Sequence, residues 1–353
     1  MPSPTEQIQF LERTQRILSE GTFTATYKFA LLHALADLCI ERASPNPNAS
    51  LTLPITAITD RFVDLYHRQA RPYPGRGKTR VLQQNAGNQA AVVNALAEPA
   101  RKYKTAIDPR ALPTPTLRKI NETIRDQPLW KLQTLAGGER LDFLYENTDV
   151  TTVREITLRP GIAYCFRAFH PFIVSMVRDR WERWIRRHNP DQLDEKTDLQ
   201  EFLFGSERQN LVGYREALLE VHGPTCFYRE TRLITAFDVD HFVPWSRYPV
   251  DLGHNFVLAS RQANTKKKDR LPGRRFLERW LQGCIDCHAE LEAAFERRNL
   301  RHDLSASFAI FEWVYDGTEK TGGMVWEGGA DLVRLDPGWR DRLRQARQQL
   351  GLN

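Results

Sequence analysis

Four polar residues lie near the three-quarter point of the chain at a spacing that suits a reactive site. Asp240 and His241 are adjacent, Asn255 follows the histidine by fourteen residues, and Asn264 follows by a further nine. An imidazole can accept a proton from water near neutral pH. Carboxylate and amide oxygens suit Mg²⁺, which takes few protein ligands and keeps several waters. The set predicts hydrolysis of a phosphodiester, with His241 as the base and Asp240 and Asn264 as ligands of Mg²⁺, or of Mn²⁺ or another divalent cation.

A strand, a loop, a second strand and a helix are predicted to position these residues. Residues 232–240 are rich in β-branched and aromatic side chains, which is typical of a strand that delivers Asp240 and His241 at its end. Two prolines and a glycine interrupt the loop at 242–254, and 255–259 is an apolar run of strand length. Ser260 is the predicted N-cap of a helix that continues through Asn264.

Basic residues continue along this helix. Because residues three and four apart are neighbours on a helix, Asn264, Lys267 and Lys268 are expected on one face. Lys267 is predicted to be a catalytic residue that supports the site electrostatically, and Lys268 is the alternative. Contacts with nucleic acid are predicted for Arg261, Lys266, Lys268 and Arg270, and for Arg76 and Lys78 in an earlier basic loop.

The stretch resembles the ββα-metal site of HNH endonucleases, on the order and spacing of Asp240-His241, Asn255 and Asn264. The resemblance implies that His241 is the general base and that Asp240 and Asn264 hold one divalent cation on the scissile phosphate. It also implies that Asn255 fixes the loop that aims the histidine. Residues 238–244 are similar to the HNH domain of RNA-guided CRISPR nucleases. Residues 202–205 and 239–246 are similar to bacterial HNH proteins of comparable length, and an N-terminal helical domain is predicted here.

One departure from the HNH pattern concerns zinc. Many HNH modules carry two Cys-x-x-Cys pairs that bind a structural zinc ion. Here the residue three positions after Cys226 is Arg229, and Ala263 precedes Asn264 where a cysteine often stands. Because these positions do not supply four thiolates, a structural zinc is predicted to be absent.

The expected fold is α+β and mostly α-helical, with the ββα-metal module embedded between helical regions. The predicted organisation is an N-terminal helical domain at 1–108 that is a candidate DNA-reading unit, a linker at 109–138, a helical middle region at 139–221, the HNH module at 222–275 and a C-terminal helical or mixed extension at 276–353. Apolar periodicity predicts helices at 24–41, 54–69, 81–97, 170–188, 199–221, 274–298 and 336–350, and a strand-and-turn segment at 307–326.

Composition and charge restrict the classes of partner. The 353 residues carry a formal net charge of +6, and residues 261–279 concentrate basic side chains, which favours a polyanion. No run reaches the roughly eighteen apolar residues of a membrane span, and the first residues lack the layout of a signal peptide. A cytoplasmic location and no membrane partner are therefore expected.

These observations predict a metal-dependent endonuclease that cuts DNA, with double-stranded DNA as the expected substrate and restriction or anti-phage defence as the setting. Two alternatives remain open. One is a nucleic-acid-binding protein whose HNH site is degenerate, and the other is an RNA-directed nuclease. A homodimer or a partner defence protein is a further expectation.

Overall fold

The computed structural model describes residues 1–353 except 43, 45, 76–78, 103–107, 147–152, 194–197, 206–210, 235, 331 and 353. The helices of the described part are α1 Pro4–Glu20, α2 Tyr27–Glu41, α3 Ile55–His67, α4 Ala91–Lys102, α5 Thr114–Ile124, α6 Ile162–Ala168, α7 His170–His188, α8 Leu199–Phe204, α9 Val212–His222, α10 Arg261–Lys267, α11 Arg274–Glu296, α12 Leu304–Lys320 and α13 Trp339–Gln349. The strands are β1 Leu51–Pro54, β2 Pro72–Tyr73, β3 Arg80–Val81, β4 Glu155–Leu158, β5 Phe237–His241, β6 Phe256–Ser260, β7 Met324–Trp326 and β8 Leu332–Arg334.

The strands form small antiparallel pairs, β1 with β4, β2 with β3, β5 with β6 and β7 with β8. The predicted class, α+β and mostly α-helical, is confirmed. No helix in the described part of the chain is long and apolar enough to span a bilayer.

Contacts between Cα atoms divide the chain into two compact units. The first comprises Met1–Lys104 and Pro109–Gly205, and the second comprises Thr105–Asp108 and Ser206–Asn353. The five segments expected from the sequence remain a prediction of domain boundaries. The stretch predicted as a linker, 109–138, contains α5, which packs against α3 and α4 within the first unit.

Helix α2 is the centre of the first unit. All of its side chains are buried, because apolar residues occur on every side of the helix and α3, α6 and α7 pack around it. Its buried polar groups are paired: His33 and His170 donate to the Asp37 carboxylate over 3.0 Å and 2.8 Å. The helices predicted at 24–41, 54–69 and 170–188 are confirmed as α2, α3 and α7.

The helix predicted at 81–97 begins ten residues later, at Ala91. The Gln89 side chain explains the late start, because it satisfies the backbone groups that a helix would otherwise use. Its amide nitrogen donates to the Leu82 carbonyl over 2.9 Å, and its oxygen accepts from the Gln84 backbone N–H over 3.0 Å. The segment before Ala91 is therefore not helical.

Two further predictions needed correction in the second half of the chain. The single helix expected at 199–221 is divided into α8, which ends before the extended residue Gly205, and α9. The strand-and-turn segment expected at 307–326 is mostly helix α12, whose N-cap Asp303 accepts from the Ala306 N–H over 2.8 Å. Phe308, Phe311 and Tyr315 are buried at helical spacing, a period that the sequence reading missed.

In the second unit, α10 packs on the β5–β6 hairpin, and the hairpin packs on α9. Helix α9 belongs to a framework in which α11 contacts α9 and α13, and α13 contacts α12. Aromatic rings join hairpin and framework. Phe242 directly follows β5, and its ring stacks on Trp280 of α11 and Phe311 of α12 at centroid distances of 5.6 Å and 5.3 Å. Residues after 276 therefore supply the apolar base on which the end of β5 is supported.

We expect Phe311→Ala to lower the free energy of unfolding of the second unit by about 3–5 kcal/mol, because it removes a fully buried ring from this stack. Native-state hydrogen exchange of amides in α11 and α12 measures the effect. The matched control is Phe172→Ala, which truncates a ring that is 55% exposed and should change stability by about 0.5 kcal/mol or less. Equal effects of the two changes would contradict the role assigned to the stack.

Candidate active site

The predicted strand, loop, strand and helix are present as β5, an irregular segment, β6 and α10. β5 begins at Phe237, later than the predicted 232. The hairpin register pairs Asp240 with Val257 and His241 with Phe256. Ser260 caps α10 as predicted, since its hydroxyl accepts from the Ala263 N–H over 3.3 Å. The order of elements therefore brings the end of β5 beside α10.

Asp240 is buried at the end of β5 and has two partners on the same carboxylate oxygen. The Tyr228 hydroxyl donates to Oδ2 over 2.6 Å, and the Lys267 ammonium lies 3.0 Å from it. Burial, and then the charge of Asp240, raises the pKa of Tyr228 well above its ordinary value. Tyr228 therefore remains a proton donor to Asp240, which holds the carboxylate in one orientation.

Lys267 lies beneath the site and is fully buried. Besides its ion pair with Asp240, its ammonium donates to the His241 carbonyl over 2.7 Å. Lys268 is the C-cap residue of α10: its backbone N–H donates to the Asn264 carbonyl over 2.9 Å, and both residues line the same cleft. Lys268 adopts a φ of 52° and is exposed, so it leaves the helix.

His241 is held by a carboxylate and two aromatic rings. Its Nε2 lies 2.8 Å from Asp251 Oδ1, and its ring lies 4.6 Å from Phe256 and 5.4 Å from Trp245 between centroids. Because a carboxylate accepts hydrogen bonds, Asp251 favours the tautomer with the proton on Nε2 and a lone pair on Nδ1. Sequence reasoning missed Asp251, whose only signal was an acidic residue in the loop that follows the histidine.

Asn255 closes the loop between the two strands. Its side-chain oxygen accepts from the Val243 N–H over 2.7 Å, and its side-chain nitrogen donates to the Val243 carbonyl over 3.0 Å. The Asn255 backbone carbonyl also accepts from the Phe242 N–H over 2.7 Å. These bonds hold the two residues directly after His241, so Asn255 acts on the histidine through the backbone.

Asn264 lies on α10 with its amide nitrogen directed at β5. The nitrogen donates to Asp238 Oδ2 over 3.1 Å, which leaves the amide oxygen free of that bond. Asp238 and Asp240 are two residues apart on one strand and therefore lie on the same face. Sequence reasoning missed Asp238, although this alternation of two aspartates in a strand was a signal for it.

A cleft of about 620 Å³ collects these residues. Its lining includes Asp238, Asp240, His241, Trp245, Asp251, Asn264, Lys268 and Asp269. Four carboxylates line the cleft with the Lys268 ammonium, and a second ammonium, that of Lys267, pairs with Asp240, so carboxylates outnumber ammonium groups there. In the described ranges, no group of three or more His, Cys, Asp or Glu residues is arranged to hold a metal. A carboxylate and an amide oxygen do fit Mg²⁺, which completes its six ligands with water.

The basic residues predicted to contact nucleic acid are mostly exposed. Arg261 has a side chain that is 73% exposed, Lys266 and Lys268 are exposed, and Arg270 is half-buried. All four lie on or just after α10. Arg76 and Lys78, which were also predicted to contact nucleic acid, lie outside the described residues.

The cysteines near the hairpin have local roles in this arrangement. Cys226 is buried, and its sulfur accepts from the Ser260 N–H over 3.3 Å beside the cap of α10. Cys284 is buried on α11, and Cys287 is half-buried. The absence of a structural zinc stays a prediction.

Two family models match the chain. Residues 228–273 match the model described as "HNH endonuclease", so the hairpin, loop and helix described above form an HNH endonuclease domain. Residues 7–203 match the model described as "Domain of unknown function (DUF8808)", and this match covers more than half of the chain. The chain therefore belongs to the DUF8808 family. The HNH match supports the HNH family as a whole and does not support the finer similarity to CRISPR nucleases.

No curated protein and no solved structure matches the chain.

His254, in the short 3₁₀ turn Gly253–Asn255, precedes the loop-closing asparagine and is buried. Burial lowers the pKa of His254 to about 3, and the nearby His302 and His288 add to the effect. The unfolded chain, with a pKa near the ordinary 6.5, therefore binds more protons than the folded chain between these two values. The contribution of neutral His254 to the free energy of unfolding is fully present above pH 6.5 and is lost as the pH falls towards 3.

We expect His254→Phe to reduce this acid sensitivity. Between pH 6.5 and 4, the unfolding free energy of the wild-type protein should fall relative to that of the variant by about 1.4 kcal/mol per pH unit. Chemical denaturation of both proteins over pH 4 to 8 measures the difference, and the values at pH 8 provide the reference. Parallel pH profiles for the two proteins would contradict this prediction, because they would mean that the pKa of His254 is the same in the folded and the unfolded chain.

Proposed function

We propose that the protein is a metal-dependent endonuclease that hydrolyses phosphodiester bonds of double-stranded DNA. The observation that carries the proposal is that Asp240, His241 and Asn264 line one cleft within the residues that match the HNH endonuclease model. We extend the proposal to a role in restriction or antiviral defence, which rests on the fusion of an HNH domain to a second, larger unit.

His241 is the proposed general base. The protonated Nε2 is occupied by its hydrogen bond to Asp251, which leaves Nδ1 to accept a proton from the attacking water. Asp251 also stabilises the imidazolium that forms when His241 takes this proton. Asn255 is a positioning residue, because both ends of its amide bind the backbone of Val243.

Asp240 and Asn264 are the proposed ligands of one divalent cation. When bound there, Mg²⁺ or Mn²⁺ would stabilise the negative charge that develops on the scissile phosphate and the leaving oxygen. Tyr228 and Lys267 orient the Asp240 carboxylate, and Asp238 orients the Asn264 amide. Lys267 is therefore a proposed positioning residue that acts through Asp240.

Charge supports a nucleic-acid substrate that binds together with a cation. Lys267, which pairs with Asp240, and Lys268 offset the four aspartates of the cleft only in part, so a bound cation would reduce their repulsion of a phosphate. Exposed Arg261, Lys266 and Lys268, with Arg270 at the end of the group, offer cationic contacts for backbone phosphates beside the cleft. This arrangement suits a backbone that enters the cleft at one phosphate and continues along the basic residues.

We expect the purified protein to nick plasmid DNA when Mg²⁺ or Mn²⁺ is present, and His241→Ala to reduce nicking by at least about 100-fold while DNA binding is retained. Gel separation of plasmid forms measures cutting, and mobility shift measures binding. His188→Ala is the matched control, because this histidine lies on α7 in the first unit and should not affect cutting.

Parallel digestion of single- and double-stranded DNA and RNA separates the alternatives. Preferential cutting of RNA would replace the proposal by an RNA-directed nuclease. Binding of DNA without metal-stimulated nicking by the wild-type protein would favour a degenerate HNH site. Nicking that survives in His241→Ala would remove the histidine from the reaction.

We expect Asp251→Asn to lower the nicking rate by roughly 10²- to 10⁴-fold, because an amide can donate to Nε2 and move the imidazole proton to Nδ1. Asp251→Glu keeps the carboxylate and should recover part of the rate. The pH dependence of the rate should change in the asparagine variant, while its thermal unfolding stays close to that of the wild type. A loss of rate that follows the loss of folded protein would instead indicate a structural role.

A further inference from the structure

Phe256, whose ring contacts that of His241, also lines a second cavity. This cavity has a volume of about 360 Å³, and its walls are mostly apolar. Side chains of β6 and α11 form much of the lining, including Phe256, Leu258, Trp280, Cys284 and Leu291. This size falls within the range of pockets that bind small organic molecules.

His254 gives this apolar cavity an unsatisfied polar group. The side chain lines the cavity and is 3% exposed. Among the described residues, neither ring nitrogen has a hydrogen-bond partner. A buried polar group without a partner costs about 1–3 kcal/mol, so a ligand that supplies one would gain from this contact. The cavity therefore combines apolar walls with one position where a hydrogen bond is missing.

The Phe256 ring connects this cavity to the active site. It lines the cavity, and its centroid lies 4.6 Å from that of the His241 ring. The cavity is also adjacent to the loop that follows His241, since Trp280 donates to the His254 carbonyl over 2.9 Å and Asn255 is the next residue. A molecule in the cavity would contact Phe256, which is one of the side chains that hold His241.

We propose that the cavity behind Phe256 binds a small uncharged aromatic molecule with one hydroxyl or N–H group, and that this ligand alters the packing of His241. The binding step stands apart from the nuclease reaction. Only the consequence for DNA cutting rests on the proposed function.

The chemistry of the lining selects this class of ligand. Phe227, Phe256 and Trp280 offer aromatic walls, which favour a planar apolar body. The charged pair at the lining, Arg279 and Glu230, is already matched internally, so no net charge is left for an ionic ligand. The imidazole of His254 is neutral, because burial lowers its pKa to about 3, and one nitrogen is left to accept from a hydroxyl or an N–H group.

A metal ion does not fit the cavity equally well. Cys226, Cys284, His222 and His254 all line it, yet within the described residues no three of these groups come close enough to hold an ion together. Cys226 is engaged with the backbone of Ser260. A zinc ion binds thiolate sulfur at about 2.3 Å and imidazole nitrogen at about 2.0 Å, so its site needs far less free volume than this cavity offers.

Phenol and toluene are a suitable pair of probes, since they differ by one hydroxyl. We expect calorimetry to show that the wild-type protein binds phenol about tenfold more tightly than toluene, because only phenol supplies the missing hydrogen bond. In His254→Phe, which keeps the ring but removes both nitrogens, the preference should fall to about twofold or less. Equal affinities in the wild type, or no binding of either compound, would overturn the proposal.

A glycine provides a steric test of the location. Gly283 lines the cavity, and a Cβ added there meets no atom within 4 Å, so Gly283→Leu should fill space without displacing the chain. The matched control is Gly317→Leu on α12, where an added Cβ also meets nothing within 4 Å and which is not a lining residue. Phenol binding should be lost in the first variant and kept in the second. Binding that survives in Gly283→Leu places the ligand elsewhere.

The effect on the active site has a readout that does not need catalysis. Phenol should shift the ring proton resonances of His241 in the wild type, and not in Gly283→Leu. Phenol should also change the rate of plasmid nicking by the wild type and by Gly317→Leu, and it should leave the rate of Gly283→Leu unchanged. If phenol binds and His241 responds while no DNA is cut, the proposed function fails and the binding site stands. If phenol binds while His241 does not respond, the coupling through Phe256 is wrong.

Discussion

The buried ammonium of Lys267 is the interaction on which the site depends. It joins the last residue of α10 to the end of β5, through Asp240 at 3.0 Å and through the His241 carbonyl at 2.7 Å. A buried carboxylate without a partner is costly, and loss of one member of such a pair typically costs about 3–5 kcal/mol. The same ammonium therefore pairs with the Asp240 carboxylate, joins the strand to the helix and holds the backbone carbonyl of His241.

The rest of the site is held by contacts of a different kind at each residue. Asp251 orients the His241 ring, Asn255 fixes the backbone after it, and Asp238 orients the Asn264 amide. Asp251 and Asp238 line the cleft beside the side chains that they orient, whereas Asn255 binds the backbone of Val243. Aromatic packing supports the whole arrangement from below, because Phe242 stacks on two helices that follow the HNH domain in sequence. The HNH domain is therefore built on residues outside the segment that matches its family model.

The fold was predicted well where one pattern dominated a segment. Helices α2, α3 and α7 carry many apolar residues at helical spacing, and their positions agree with the prediction. Prediction was wrong where a side chain replaced a backbone partner, as Gln89 does before α4. The prediction was also wrong for α12. Its many β-branched and aromatic residues favour a strand when each is considered by itself, and the helix is favoured only when burial of one face against the core is included.

For the site, the sequence by itself determined the types and order of the reactive residues. The spacing of Asp240, His241, Asn255 and Asn264, with a serine cap between the second strand and the helix, was enough to predict a ββα arrangement. Only the tertiary structure decided that Lys267 is buried under Asp240 whereas Lys268 lines the cleft, because α10 ends at Lys267 and the chain turns at Lys268. The tertiary structure also identified Asp251, Asp238 and Tyr228 as partners, and it formed the cavity beside His254. These contacts join residues that are distant in the chain or lie in irregular loops, where no period in the sequence reports which side chains meet.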